Sequence, residues 1–141
     1  MRVSATDRCD LRCGYCIPNG HAGFCERPDV LRADEFARLI SLFAELGVSR
    51  VRLTGGEPLT RADLPKIAER IGAIAGIDDA SLSTNATQLA SQAIALHAAG
   101  VRRLNVSLDS LGRQRFAAIV GRDCLDDVLR GLEAASAAGF S

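Results

Sequence analysis

The chain has 141 residues, a length that suits a single domain. Hydrophobic residues make up 48% of it, enough for a core, and 17 basic residues balance 17 acidic ones. This neutral balance gives no reason to expect a nucleic-acid or membrane-surface partner, and no apolar run approaches the roughly 20 residues of a membrane helix. We therefore expect a cytoplasmic protein.

Four short β-rich runs are the predicted strands, at residues 2–5, 51–54, 80–83 and 104–108. Helical patterns separate them, at residues 34–46, 64–74, 89–99 and 125–138. In the first of these, Phe36, Ile40 and Phe43 recur at helical spacing and Gly47 supplies a stop. The alternation predicts an α/β fold of about four parallel β/α units, either a doubly wound sheet or part of a barrel.

Both architectures collect ligands at the carboxyl ends of parallel strands. The polar and glycine-rich segments of this chain all follow predicted strands: residues 9–16, 55–58, 83–85 and 107–109. The sequence therefore predicts one shared site at this edge of the sheet.

Three of the five cysteines, Cys9, Cys13 and Cys16, lie within eight residues in a C-x3-C-x2-C pattern. In a cytosolic chain such clustering indicates metal or redox chemistry more often than disulfides. Thiolates bind iron–sulfur clusters and zinc. Three cysteines would leave one iron of a cubane open, whereas zinc would need a fourth ligand such as Cys25 or His21. Spacing alone leaves open a cluster, a zinc site and unligated cysteines.

The run TDRCDLRCGYCIP at residues 6–18 resembles the cluster loop of radical S-adenosylmethionine (SAM) enzymes, and more narrowly that of the GTP 3′,8-cyclases of molybdenum cofactor biosynthesis. The strand that leads into this run, RLTGGEP at residues 52–58 and NVSLD at residues 105–109 are further matches in the same order. The resemblance covers nearly the whole chain and implies a partial (β/α) TIM-type barrel.

The resemblance implies that Cys9, Cys13 and Cys16 hold a 4Fe-4S cluster whose open iron binds SAM. One electron from the cluster would cleave SAM to a 5′-deoxyadenosyl radical. In this lyase the radical would start the cyclisation of GTP to (8S)-3′,8-cyclo-7,8-dihydroguanosine 5′-triphosphate. The matching SAM contacts are Tyr15, Gly56 and Ser107, and the matching GTP contacts are Arg2, Arg52 and Ser83. An electron donor is the further partner implied, and a homodimer is compatible with the resemblance.

Some of these positions also allow a purely structural interpretation, and at others the residue differs from the one usual in the family. The Tyr15 ring could instead pack against the barrel rim, and Asp109 could cap a turn. Ile17 replaces a usual methionine, and Ala86 replaces the glycine of a usual Thr-Thr-Asn-Gly. Because alanine takes a positive φ less cheaply than glycine, we expect this loop to differ. Cys124 is expected to pack in the interior.

The family's enzymes are more than twice this length and carry three further cysteines in their second half. Residues 1–141 are therefore interpreted as the N-terminal part of a radical SAM core domain without its C-terminal part, and this chain alone is expected to lack cyclase activity. Two alternatives stay open. One is another radical SAM enzyme, such as a peptide-modifying one. The other is a non-catalytic zinc module built on Cys9, Cys13, Cys16 and Cys25.

Overall fold

The computed structural model describes residues 1–17 and 30–140. Its strands are β1 (Arg2–Ser4), β2 (Arg50–Thr54), β3 (Asp79–Thr84) and β4 (Val101–Val106). Its helices are α1 (Ala33–Glu45), α2 (Leu64–Gly72), α3 (Ala93–Ala98), α4 (Arg113–Val120) and α5 (Leu125–Ala138). Two short 3₁₀ helices, Pro58–Thr60 and Leu89–Ser91, follow β2 and β3.

The four strands form one parallel sheet in the order β1-β2-β3-β4. Since β–α–β crossovers are almost always right-handed, an order that never reverses places the connecting helices on one face. A doubly wound sheet needs a reversal of strand order. The structure therefore confirms the α/β prediction of four parallel β/α units, and the sheet is an arc of the barrel type.

The hydrophobic core lies between this sheet and its helices. Val51, Leu53 and Leu82 point from the strands into it and are at most 1% exposed. Further fully buried side chains come from the helices: Ile40, Ile67, Ile71, Leu96 and Val128. Each such side chain contributes about 1.5–3 kcal/mol on burial. The opposite face of the sheet carries arginines instead, so only one face of the sheet drives folding.

Three elements differ from the prediction. Helix α4 was not predicted, because among its side chains only Phe116 and Val120 are buried and the apolar pattern is weak. The predicted helix 89–99 is broken into a 3₁₀ turn and α3, and Gln92 at the junction donates from Nε2 to the Leu59 carbonyl at 2.9 Å. Strand β4 begins at Val101, before the predicted start, with a register shift between Ala80 and Ser81.

Cys124 is 2% exposed and belongs to the hydrophobic core, as expected. In the part of the chain that the structure describes, none of the helices has the length and apolar character needed to cross a bilayer.

Candidate functional site at the carboxyl ends of the strands

The cysteine loop, residues 9–16, follows β1 and carries three free thiols. Cys9 and Cys13 are half-buried and Cys16 is exposed. The carbonyl of Cys13 accepts from the amides of Cys16 and Ile17, each at 2.9 Å, which closes a tight turn. Burial and the nearby negative charge of Asp10 raise the pKa of Cys9, and burial also raises the pKa of Cys13. A metal that binds there must therefore displace protons.

The unpredicted helix α4 supports this loop from behind. The amide of Arg12 donates to the Val120 carbonyl at 3.0 Å, and the amide of Gly14 donates to the Ile119 carbonyl at 3.3 Å. Both acceptors are among the last carbonyls of the helix, which have no partner within it. The cysteine loop thus satisfies the end of α4 while α4 fixes the middle of the loop.

Asp10 connects the cysteine loop to the loop that follows β3. Its Oδ1 accepts from Asn85 Nδ2 at 2.9 Å, and its Oδ2 accepts from Thr87 Oγ1 at 2.6 Å. Arg122 lies 3.6 Å from the same carboxylate. Burial acts to raise the pKa of Asp10, but the hydrogen bonds from Thr87 and Asn85 outweigh it, so the pKa is lowered. The side chain is therefore held as a carboxylate.

Tyr15 connects the cysteine loop to the end of β4. Its hydroxyl donates to Asp109 Oδ2 at 3.0 Å, while 70% of the residue is exposed. An exposed ring is not packed against the barrel rim, so the packing alternative for Tyr15 is not what the structure shows. Asp109, for which capping of a turn was one interpretation, accepts the hydrogen bond from the Tyr15 hydroxyl.

The glycine-rich segment after β2 lies directly against the chain that leads into the cysteine loop. The amide of Gly56 donates to the Thr6 carbonyl at 2.8 Å, and the amide of Glu57 donates to the Arg8 carbonyl at 2.6 Å. A Cβ at Gly56 would lie 2.3 Å from the Arg8 carbonyl oxygen. One at Gly55, whose φ is 148°, would lie 2.2 Å from the Thr6 carbonyl oxygen. Both glycines are required by this backbone contact.

Glu57 is a buried carboxylate, 2% exposed, that joins the segment after β2 to the end of β3. Its Oε1 accepts from the Leu59 amide at 3.0 Å and from Thr84 Oγ1 at 2.7 Å. Its Oε2 accepts from the Asn85 amide at 2.6 Å. Burial raises the pKa of Glu57, although the three hydrogen bonds act in the opposite direction. Two of the three bonds thus reach from the segment after β2 to the end of β3, at Thr84 and Asn85.

Ala86 adopts a φ of 63°, the left-handed conformation that alanine was expected to avoid. Its amide donates to Thr84 Oγ1 at 2.9 Å, and its carbonyl accepts from the Leu89 amide at 3.1 Å. The residue is completely buried. Surrounding contacts therefore hold alanine in a conformation that costs it about 1–2 kcal/mol.

The uncovered face of the sheet is polar and rich in arginine. Arg2 lies opposite Arg52 in register, Arg52 lies opposite Ser81, and Ser81 lies opposite Arg103. Arg103 pairs with Asp79, whereas the ion pairs within residues 1–17 and 30–140 include neither Arg2 nor Arg52. A depression of about 390 Å³ is lined by Met1, Arg2, Arg50, Val51, Arg52, Asp79, Ser81 and Arg103.

The remaining predicted positions lie at the same edge or on the same face. Ser107 is exposed just beyond β4, and its amide donates to the Thr84 carbonyl at 2.9 Å. Ser83 is half-buried in β3, opposite Asn105 in register. The loops after all four strands are therefore joined by hydrogen bonds at one edge, as the sequence predicted. Cys25 and His21 lie outside the described residues.

Sequence reasoning missed the residues that join these loops: Asp10, Glu57, Thr84, Asn85 and Thr87. A signal was available, because each is a polar residue within or beside a segment that the resemblance had singled out. What the sequence does not indicate is which of these side chains reaches which neighbouring loop.

The arrangement of the Cys9, Cys13 and Cys16 thiols distinguishes an iron–sulfur cluster from a single zinc ion. In the ranges that the structure describes, no three His, Cys, Asp or Glu side chains converge on one metal ion. A zinc ion needs convergence of its ligands at about 2.3 Å from each sulfur. The thiolates of a cubane each bind a different iron and need not converge. Three free thiols spread over one loop therefore fit a cluster better than a single ion.

Similarity to known proteins agrees with a cluster-binding loop. A family model described as the Radical SAM superfamily matches residues 3–141. The chain is 51% identical over 140 residues to GTP 3′,8-cyclase of Ectopseudomonas mendocina and 49% identical over 140 residues to GTP 3′,8-cyclase 2 of Pseudomonas aeruginosa. It covers 99% of its own length in both matches but only 42% of either relative.

Among solved structures, the fold is similar to that of Streptococcus suis SuiB bound to its precursor peptide SuiA. The TM-score is 0.81 at 22% identity, over 99% of this chain and 30% of that one. At this identity the likeness concerns the fold alone. It agrees with the barrel-type arrangement of the four strands.

Proposed function

This chain belongs to the radical SAM superfamily, and on that premise we propose that it is the N-terminal, cluster-binding part of the core domain of a GTP 3′,8-cyclase-like enzyme. The observation that carries the proposal is the loop of three free thiols at the edge where the loops after all four strands meet. The identity of about half of the residues to two GTP 3′,8-cyclases supports the choice within the superfamily.

Cys9, Cys13 and Cys16 would hold a 4Fe-4S cluster with one iron free for SAM. When bound, this pair of cofactors supplies the electron transfer and radical chemistry. The protein's share is to hold and shield them. Half-burial of Cys9 and Cys13 limits water on one side of the loop, while exposed Cys16 leaves a side that an electron donor can approach.

Gly56, Tyr15 and Ser107 would contact SAM. All three are exposed at the carboxyl edge of the sheet, on the loops after β2, β1 and β4 respectively. Gly56 is exposed and carries no side chain of its own, which favours close approach of a ligand to its backbone. Tyr15 is aimed along the rim by Asp109.

The arginine face would bind the GTP triphosphate. Arg2 and Arg52 are side by side in register, and like charges opposite each other are destabilising unless an anion lies between them. Guanidinium groups bind phosphate through paired, fixed donors. Ser83 lies on β3 towards the carboxyl edge, between this face and the cysteine loop, where it can contact the rest of the nucleotide.

The product would be the cyclised nucleotide of molybdopterin biosynthesis, (8S)-3′,8-cyclo-7,8-dihydroguanosine 5′-triphosphate. A cytoplasmic location and a homodimer belong to the same proposal and stay predictions. An exposed apolar stripe, formed by Leu39, Leu42 and Phe43 of α1 and by Leu46 just after it, is compatible with a second copy.

Anaerobic reconstitution with iron and sulfide tests the proposal. We expect a brown protein with four irons per three-cysteine loop and a reduced-state EPR signal that shifts on addition of SAM. Cys13→Ala should lose most of this iron. Cys124→Ala is the matched control, because its thiol lies in the hydrophobic core, and it should keep the cluster. A colourless protein with one tightly bound zinc would instead establish the structural metal module and overturn the proposal.

A further inference from the structure

Cys9 is held from both sides by one closed ring of hydrogen bonds. On one side, the Arg8 carbonyl accepts from the Glu57 amide at 2.6 Å. On the other side, Asp10 Oδ1 accepts from Asn85 Nδ2 at 2.9 Å. The ring closes because the Asn85 amide donates to Glu57 Oε2 at 2.6 Å. It therefore passes through the loops after β1, β3 and β2 and returns to its start.

We propose that Asp10 and Asn85 are positioning residues that set the place of Cys9 for the cluster by closing this ring. The inference rests on the proposed function and deepens it. The cysteine loop therefore has its binding shape before any cluster is present.

The surroundings of the ring make it rigid. Thr87 adds a second bond to the Asp10 carboxylate, at 2.6 Å, and its own amide donates to Asn85 Oδ1 at 3.0 Å. Arg122 lies 3.6 Å from Asp10 and 3.6 Å from Asp127 on α5. Each side-chain oxygen of Asp10 therefore has a named donor, and the loop after β3 cannot move without moving the residue next to Cys9.

The ring adjoins the ligand itself. The amide of Leu11 donates to Cys9 Sγ at 3.5 Å, so the sulfur is already oriented by its own loop. Asp10 lies between these two residues. Loss of the Asp10–Asn85 bond would release the segment that directs the sulfur, whereas a bond that only stabilised the fold would leave the ligand geometry unchanged once the protein had folded.

A charge exchange tests the pair. Asn85→Asp places two carboxylates against each other at the 2.9 Å contact and should open the ring. The double variant Asp10→Asn with Asn85→Asp restores a donor and an acceptor in reversed places and should close it. Asp34→Asn is the matched control, because Asp34 is an exposed carboxylate on α1 that pairs with Arg32 and lies outside the ring.

Hydrogen exchange is measured first, in cluster-free protein, at the amides of Glu57, Leu11 and Arg12. We expect Asn85→Asp to accelerate exchange on the order of ten-fold, because one charge-assisted hydrogen bond is lost. The double variant should return the exchange to its original rate. Equal exchange in Asn85→Asp and the original protein, or no rescue in the double variant, overturns the proposal.

The second measurement is the iron retained against a chelator after anaerobic reconstitution, with the EPR line shape of the reduced cluster. Asn85→Asp should retain less iron and show an altered signal, and the double variant should recover both. If Asn85→Asp does not fold, Thr87→Val removes the hydroxyl that contacts both Asp10 and Asn85, with little change of shape, and leaves the Asp10–Asn85 bond in place. It should give a smaller effect in the same direction. An unchanged Thr87→Val in both measurements then overturns the proposal.

The two ideas fail in different ways. If the original protein takes up no iron, the proposed function fails, and the exchange measurement on cluster-free protein still decides whether the ring sets the loop. If the cluster forms normally in every variant, the proposed function stands and the positioning role of Asp10 and Asn85 is refuted.

Discussion

Gly56 combines a proposed SAM contact with a packing requirement that the structure shows. The resemblance assigns it to SAM, and its backbone position against Arg8 excludes any side chain. The packing requirement is by itself sufficient to explain why this residue is glycine. Gly14, on the cysteine loop, lacks the packing constraint, because a Cβ there would meet nothing within 4 Å.

These two glycines give a matched test of close packing. Gly56→Ala should reduce the free energy of unfolding by about 1–3 kcal/mol, because backbone atoms, unlike a flexible side chain, cannot move away from the new methyl group. Gly14→Ala should change it by less than about 0.5 kcal/mol. Chemical denaturation of the cluster-free protein measures both. Equal stability of the two variants would contradict the contact between Gly56 and Arg8.

Ala86 shows that a residue's preferred backbone conformation can be overruled. Its departure from the family's glycine predicted a different loop, yet its φ is 63°. Bonds to Thr84 and Leu89 fix the positions on either side. The tertiary contacts of its neighbours outweigh the local cost, which a sequence pattern cannot indicate.

Among the elements, α5 packs most closely on the loop after β3. Gly131 in the middle of this helix is buried, and a Cβ there would lie 2.5 Å from the Ala86 carbonyl oxygen and 3.1 Å from Leu89 Cβ. The helix can approach this loop only because it has no side chain at that position. The same loop carries Asn85 and Thr87, so α5 supports the residues that hold Asp10.

Replacement of glycine by alanine in α5 and in α2 should therefore change the free energy of unfolding in opposite directions. Gly131→Ala should destabilise the protein by about 1–3 kcal/mol through overpacking. Gly72→Ala, in α2, meets only the Ala99 carbonyl oxygen at 3.6 Å and should stabilise it by up to about 1 kcal/mol through helix propensity. Thermal and urea unfolding measure both changes. A neutral Gly131→Ala would refute the close approach of α5 to Ala86.

At the scale of the whole molecule, the two faces of the sheet have different tasks. The face under the helices is apolar and buried, and it supplies the stability. The other face has Arg2, Arg52 and Arg103 in neighbouring strands, with Asp79 as the acidic partner of Arg103. Because this face contributes no apolar surface to the core, its charged side chains are available to bind a charged ligand.

Arg52 and Arg102 test this difference between faces. Arg52→Ala should weaken binding of GTP or inorganic tripolyphosphate by on the order of ten-fold, the value of one charge-assisted bond. Arg102, in β4, instead donates to the His97 carbonyl of α3 at 2.7 Å, so Arg102→Ala should leave binding unchanged. Titration calorimetry at low and high salt measures both. Equal losses in the two variants would show that general positive charge, and not this face, binds the anion.

The sequence alone determined the class of the fold, the cysteine loop and the edge at which the loops after the strands meet. It could do so because strand–helix alternation, a stop at Gly47 and the spacing of Cys9, Cys13 and Cys16 are local patterns, readable within a few residues. Helix α4 was not predicted, because it contacts the rest of the protein through few apolar side chains and through backbone hydrogen bonds to Arg12 and Gly14.

Only the tertiary structure decided the barrel-type arrangement, the partners of Asp10 and Glu57, and the placement of Arg2 beside Arg52. These depend on strand order and register, which bring together residues far apart in sequence, such as Asp10 and Thr87, separated by 77 positions, and Tyr15 and Asp109, separated by 94. A hydrogen bond between loops has no periodicity in the sequence. It exists because the packed sheet fixes the distance between the ends of its strands.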